Sequence, residues 1–154
     1  MVVFWNTYKR NNIEKTQIII HVLNNKEVNA FVLPNGHLVL YSGLIVAAEN
    51  QEELSGVICH ELAHIELNHV VKKLIKEVGL SVLISMTTGG GTDIIKETAK
   101  MLSTTAFDRS MEKKADIKAV EYLVKANINP ESILSQATWE LLKEKITTTS
   151  LTYY

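Results

Sequence analysis

Short apolar runs separated by polar turns occupy the first part of the chain, which is the pattern of a small β-sheet. Residues 18–23 contain three consecutive isoleucines and predict a buried strand. Residues 30–33 and 38–41 predict two further strands. Between them, Pro34-Asn35-Gly36 predicts the turn of a hairpin, because Gly36 can adopt a positive φ.

From Ser42 onward the apolar residues recur with a helical period. Asn50 followed by Glu53 three residues later resembles a capping box and predicts the start of a helix. The apolar residues of this helix are Leu54, Val57, Ile58, Leu62, Ile65 and Val70. We expect the helix to continue to Gly79, with Lys72, Lys73 and Lys76 favouring its C-terminal dipole.

Three further helices are predicted in the second half of the chain. Thr92-Asp93 would begin a helix that ends near Ala106, and Asp108 would cap another that ends near Ala126. Asn129-Pro130 predicts a last helix to about residue 146, followed by a polar tail. The fold class is therefore α+β, with a small N-terminal sheet packed against four or five helices.

Length and composition favour one globular domain over residues 1–154, since 46% of the residues are apolar and 21% charged. Sixteen Lys and Arg against 17 Asp and Glu leave no basic excess, which argues against a nucleic-acid partner. The single cysteine, Cys59, cannot form an internal disulfide. The sequence leaves the oligomeric state open.

No apolar run approaches the ~20 residues of a transmembrane helix. At the N-terminus the charges follow the apolar residues, whereas a secretory signal would place them first. We therefore expect no transmembrane segment in this chain, and a cytoplasmic location is favoured over a secreted one.

The segment with the clearest chemistry is His60-Glu61-Leu62-Ala63-His64. Helical residues four apart share a face, so His60 and His64 can offer two imidazoles to one zinc ion. Glu61 projects at a different angle and can hold the water that the metal activates. Cys59 points about 100° away from His60 and is expected to be a small core residue.

A catalytic zinc usually takes a third protein ligand, and His69 is not expected to supply it. His69 follows His60 by nine residues, which puts it about 180° around a continuous helix. We expect it to support the loop or helix behind the site, or to be solvated.

Glu112 and Asp116 on a later helix form an alternative source of ligands. Glu112 could bind the metal, and Asp116, one turn on, could accept the outer N–H of a ligand imidazole and fix its tautomer. A solvated charged helix is the competing interpretation, since Lys113 and Lys114 lie between the two carboxylates. The spacing alone does not decide between them.

Three motifs together resemble the gluzincin zinc metallopeptidases, in the family that includes the CaaX prenyl endopeptidases, HtpX and BepA. They are His60-Glu61-x-x-His64, the later Glu112-x-x-Ala115-Asp116, and Asn29-Ala30-Phe31-Val32-Leu33-Pro34-Asn35-Gly36 followed by Tyr41-Ser42-Gly43-Leu44. The resemblance covers residues 18–124. Membrane members carry transmembrane segments between the zinc helix and the Glu helix, and the interval here, residues 69–108, is too short and too polar for a pair of spans.

The resemblance implies a zincin-like fold with the zinc motif on a central helix. It also implies that Glu112 is the third ligand of one zinc ion, together with His60 and His64. The strand that begins with Asn29, Ala30 and Phe31 would border the cleft and pair with extended substrate. We expect only one of the amides of Ala30 and Val32 to face that cleft.

These observations predict a zinc endopeptidase that cleaves extended or unfolded polypeptides, with Glu61 as the proton acceptor. The group that stabilises the oxyanion stays open among His37, Tyr41 and Arg109. The alternative is a zinc-stabilised peptide-binding or chaperone-like module with little turnover. Glu61 favours the enzyme, because a binding module has no need of a carboxylate there.

Overall fold

The structure of the protein is a computed structural model that describes residues 17–89 and 91–132. Of the last predicted helix, the described part contains a 3-10 turn, Pro130–Ser132. The rest of that helix, to residue 146, and the polar tail that follows it lie outside the described residues.

A three-stranded mixed sheet forms the N-terminal layer. Its strands are β1 (Ile19–Leu23), β2 (Ala30–Leu33) and β3 (His37–Tyr41), in the spatial order β1-β3-β2. β2 and β3 form the predicted antiparallel hairpin, whereas β1 runs parallel to β3. The turn between β2 and β3 is a 3-10 turn, Pro34–Gly36, in which Gly36 has a φ of 78°.

The central strand, β3, contributes Leu38, Val39 and Leu40 to the core. β1 is a strand as predicted, but the expectation that it is buried is wrong, since Val22 is 59% exposed. Among the described strands, β1 lies at an edge of the sheet, next to β3. An apolar run signals a strand, but it does not say whether other elements cover both of its faces.

Six α-helices follow the sheet within the described residues. They are α1 (Ser42–Ala47), α2 (Gln51–Glu66), α3 (His69–Val78), α4 (Leu80–Thr87), α5 (Thr92–Thr104) and α6 (Arg109–Lys125). The α+β class is confirmed. Two predicted caps are present, because the side chain of Asn50 accepts from the Glu53 amide and that of Asp108 from the Met111 amide. No helix in the described part of the chain is both long and apolar enough to cross a membrane.

The predicted continuous helix from Asn50 to Gly79 is wrong, because the chain turns between α2 and α3. Leu67 ends the first helix and Asn68 adopts a left-handed conformation with a φ of 55°. Asparagine tolerates this conformation better than most residues. The break changes the direction of the chain, so that residues from His69 onward no longer follow the angular phase of α2.

The core of the fold is the packing of α2 against α6. Ala115 and Ala119 are fully buried, and such small side chains let two helix backbones approach closely. Contacts occur in the same order along both helices, since His60 meets Asp116 and Glu66 meets Tyr122. The two helices therefore lie side by side in a fixed register.

Gly43 ties the loop before β2 to the start of α1, and we expect it to resist substitution. A Cβ at this position would lie 2.3 Å from the backbone oxygens of Lys26 and Glu27. Gly43→Ala should lower the free energy of unfolding by about 1–3 kcal/mol, the usual cost of overpacking. Chemical denaturation measures this, with Gly91→Ala as the control, because no atom lies within 4 Å of a Cβ there. Equal stability of the two variants would contradict the expectation.

Candidate active site

Helices α2 and α6 bring three potential metal ligands to one point. The Nε2 atoms of His60 and His64 lie 3.0 Å apart. The Glu112 carboxylate lies 3.2 Å from the Nε2 of His60 and 3.8 Å from that of His64. One ligand atom from each residue falls within 4.8 Å of the others.

This spacing fits a single zinc ion. Tetrahedral ligands at about 2.0–2.1 Å from zinc lie about 3.3 Å from one another, close to the separations between these atoms. Two buried imidazole nitrogens and a carboxylate can also direct lone pairs toward a shared centre once His60 has lost its second proton, as metal binding requires. A cation between them relieves the repulsion that such an arrangement would otherwise carry.

Asp116 fixes the orientation of the first histidine. Its Oδ1 lies 3.0 Å from Nδ1 of His60, on the opposite side of the ring from Nε2. A proton on Nδ1 can therefore be donated to Asp116, which leaves the Nε2 lone pair free for a metal. This is the contact that the spacing of Glu112 and Asp116 suggested.

His69 and Phe107 hold the second histidine. The Nδ1 of His69 lies 3.0 Å from Nδ1 of His64, and the Phe107 ring stacks on the His64 imidazole at a centroid distance of 3.9 Å. His69 is buried, so the solvated alternative for this residue is wrong. It lies behind the site because the turn at Asn68 returns the chain toward α2.

The electrostatic environment shifts the pKa values of the two histidines in opposite directions. Burial opposes the charged form of His60, but hydrogen bonds to Asp116 and Glu112 outweigh it and raise its pKa to about 10. Burial, with the nearby His60, His69 and Lys73, lowers the pKa of His64 to about 2. His64 is thus held in the neutral form that a metal ligand requires.

Glu61 is a buried carboxylate beside these three residues. It is 6% exposed, and burial raises its pKa to about 7. The carboxylate of Glu112 also raises this pKa, whereas His60 and Lys73 lower it. A carboxylate with a pKa near neutrality can both accept and return a proton under physiological conditions.

A cleft of about 250 Å³ opens onto these side chains. One part of its lining is Asn29, Ala30 and Phe31 at the start of β2, and another is residues 102–107, which form the last turn of α5 and the start of the segment that joins it to α6. The Asn29 side chain donates to the Ser103 carbonyl at 2.8 Å and so links these two parts. The cleft therefore has a strand as one wall, and a helix end followed by the irregular residues 105–107 as another.

The outer edge of β2 has polar backbone groups that face away from β3. The Tyr41 amide donates to the Asn29 carbonyl, and Ala30 lies opposite Leu40 in the antiparallel register. Along an antiparallel strand, residues whose backbone N–H and C=O groups face the partner strand alternate with residues whose backbone groups face away from it. The backbone amides of Ala30 and Val32 therefore both point away from β3, because residues two apart share an orientation. Of these two residues, Ala30 lines the cleft as the structure describes it.

Among the described residues, no backbone hydrogen bond joins this outer edge of β2 to another segment.

The three candidates for an oxyanion donor do not line the cleft as the structure describes it. The Nδ1 of His37 instead lies 2.8 Å from the Nε2 of His21 on the sheet, and the Tyr41 ring packs edge-on against that of Phe31. Arg109 is the first residue of α6 and also lies outside the cleft wall. The core expectation for Cys59 is consistent with its burial.

Sequence reasoning missed Phe107 and the role of Lys73. Phe107 lies in a segment without periodicity, one residue before the Asp108 cap. The sequence pattern places Lys73 near the C-terminus of a helix, where it would favour the dipole, but the turn at Asn68 places this side chain in the interior. An Asn at the end of a long apolar pattern was the available signal for that turn.

Comparison with known proteins identifies the family. The chain matches peptidase family M48 over residues 6–148. It is 39% identical to the mitochondrial metalloendopeptidase OMA1 of Bos taurus over 61 residues, which are 40% of this chain and 12% of that protein. It is 33% identical to the beta-barrel assembly-enhancing protease of Escherichia coli K12 over 63 residues, 41% of this chain and 13% of that protein.

A longer match is to the mitochondrial metalloendopeptidase OMA1 of Arabidopsis thaliana, with 29% identity over 110 residues, or 71% of this chain and 23% of that protein. The matched regions thus make up 12% to 23% of the length of these relatives. The family match extends over well more than half of the chain, and residues from each of the three motifs behind the gluzincin resemblance line one cleft. The chain therefore belongs to peptidase family M48, a family of metal-dependent peptidases.

Proposed function

We propose that this protein is a zinc endopeptidase that hydrolyses peptide bonds in extended or unfolded polypeptides. The observation that carries the proposal is the position of Glu61. This buried carboxylate lies beside three potential metal ligands and lines a cleft, one wall of which is a strand whose outer edge pairs with no other described segment.

His60, His64 and Glu112 are the residues that would hold the zinc ion. Zinc bound there would lower the pKa of a bound water to about 7 and polarise the scissile carbonyl. The side chain of Asp116 keeps His60 oriented through its Nδ1, and His69 does the same for His64.

Glu61 accepts the proton of the attacking water and then donates it to the leaving amine. Its pKa of about 7, raised chiefly by burial, suits both steps. Because Glu61 follows His60 directly on α2, its side chain departs from the ligand face by about 100°. It can therefore face the substrate and the water without competing for the metal.

The outer edge of β2 supplies the binding site for the peptide backbone. Ala30 and Val32 present amide and carbonyl groups that an extended peptide can pair with, as in other strand-addition modes. Such pairing recognises backbone rather than sequence, so an unfolded segment is the expected substrate. A folded protein would have to expose such a segment before cleavage.

The alternative is a zinc-stabilised peptide-binding module with little turnover. It requires the same cleft and the same ligands. It does not account for Glu61, because an ionisable group is costly to bury without a function that uses it.

The first prediction concerns the metal. Chelation of zinc from the purified protein should lower the melting temperature, because metal favours the folded state by about 2.7 kcal/mol at a hundred times its dissociation constant. Glu112→Gln should reduce zinc affinity, and Glu121→Gln, an exposed change on the same helix, should not. Metal analysis and thermal melting test this. A parent protein that takes up no stoichiometric zinc would refute the metal site.

The second prediction separates metal binding from chemistry. Glu61→Gln should retain zinc and lose turnover by about 10²–10⁴-fold, since an amide cannot accept the proton of the water. Glu52→Gln, at the exposed start of the same helix, is the control. The measurement is cleavage of fluorescently labelled casein alongside zinc content. Undiminished cleavage by the Glu61 variant would assign the activity to another group.

The third prediction concerns the strand edge. Ala30→Pro and Val32→Pro each remove one outward amide, and each should lower kcat/KM by about tenfold, the value of roughly one hydrogen bond. Zinc content should stay unchanged. Ala30→Ser keeps the amide and is the control for a change of side chain. If both proline variants remain stable and cleave at nearly the parent rate, the peptide is bound elsewhere.

A further inference from the structure

Lys73 on α3 is a lysine in the interior of the protein, with 5% of its surface exposed. Lysine is almost never buried this deeply unless its ammonium is paired. Among the described residues it forms no ion pair with a carboxylate. Its pKa is lowered by burial, which the more distant Glu77, Glu112 and Glu61 partly offset.

Within the part of the chain that the structure describes, the partners of Lys73 all belong to residues 105–107. Its Nζ donates to the Thr105 carbonyl at 2.5 Å and to the Ala106 carbonyl at 3.1 Å. The same ammonium lies 4.5 Å from the centre of the Phe107 ring, within the range of a cation–π contact. One buried cation thus contacts three consecutive residues of an irregular segment.

That segment forms a wall of the same cleft that the start of β2 lines. Thr105 has an extended conformation, with φ −111° and ψ 132°. Phe107 lies nearly parallel to the His64 ring, at an interplanar angle of 15°. At the other end of the wall, the Asn29 side chain holds the Ser103 carbonyl. The spacing between the two walls therefore depends on contacts at both ends, one from β2 and one from α3.

We propose that Lys73 is a positioning residue for peptide binding, which holds residues 105–107 at the distance from β2 that an extended peptide requires. The proposal rests on the endopeptidase function proposed above and identifies the element that sets the width of its cleft. Lys73 does not line the cleft as the structure describes it, so it is not expected to touch the peptide. It acts through the backbone carbonyls of Thr105 and Ala106 and through the ring of Phe107.

The test compares Lys73→Met, Lys73→Arg and Lys76→Met in the zinc-loaded protein. Methionine fills a similar volume but cannot donate to the carbonyls, whereas arginine retains the charge and the donors. Lys76 is an exposed lysine on the same helix and is the matched control. Steady-state cleavage of labelled casein gives KM and kcat, and amide hydrogen exchange reports directly on residues 105–107.

Lys73→Met should raise KM about tenfold and leave kcat within about twofold, with zinc content unchanged and faster exchange at residues 105–107. Lys73→Arg should return KM to within about twofold of the parent, and Lys76→Met should match the parent. This split is not expected from a residue that only stabilises the fold, because partial unfolding would lower the active fraction and hence kcat. Unchanged KM and exchange in Lys73→Met would overturn the proposal, as would equal impairment of the Met and Arg variants.

If Lys73→Met does not fold, the KM of a second variant, Phe107→Leu, is measured instead. Phe107→Leu leaves the lysine in place and removes the ring that both Lys73 and His64 contact, so it should raise KM in the same direction. An unchanged KM in Phe107→Leu would overturn the proposal. If the parent cleaves no casein, the proposed function fails. Hydrogen exchange and binding of labelled casein to the zinc-loaded variants then still decide whether Lys73 positions the wall.

Discussion

The register between α2 and α6 is the constraint on which the site depends. His60 and His64 come from one helix and Glu112 from the other, so the ligand group exists only while the two helices keep their relative position. The buried alanines of α6 allow the close approach. The contact of Tyr122 with Glu66 and the contact of Asp116 with His60 hold the register at two points about 9 Å apart along the helix.

A second layer of contacts supports the two histidines from behind, and two of its three residues, Asp116 and Phe107, are distant from them in sequence. Asp116 holds His60, while His69 and Phe107 enclose the other imidazole. Each of the two histidines thus has a partner that limits its rotation. Preorganisation of this kind lowers the entropic cost of metal binding, because fewer side-chain conformations have to be given up.

The two walls of the cleft differ in how they are made. β2 is a strand with a regular row of outward polar groups, and its position follows from pairing with β3 and from the close contact of Gly43 with the preceding loop. Residues 102–104 are the last turn of α5, and residues 105–107 have no ladder and are held by side-chain contacts with Lys73. If β2 binds the peptide backbone as proposed, the irregular wall is the place where changes of sequence could alter the width of the cleft.

The sequence by itself determined the local features: the α+β class, the hairpin, the caps at Asn50 and Asp108, and the pair of histidines one helical turn apart. These follow from short-range rules of periodicity and hydrogen bonding. The left-handed Asn68, the exposure of β1 and the burial of Lys73 were decided by tertiary structure. Spacing alone also left Glu112 open, because whether a carboxylate reaches a metal or faces water depends on the helix that packs beside it. Only the packing of α6 on α2 brings that carboxylate to the histidines.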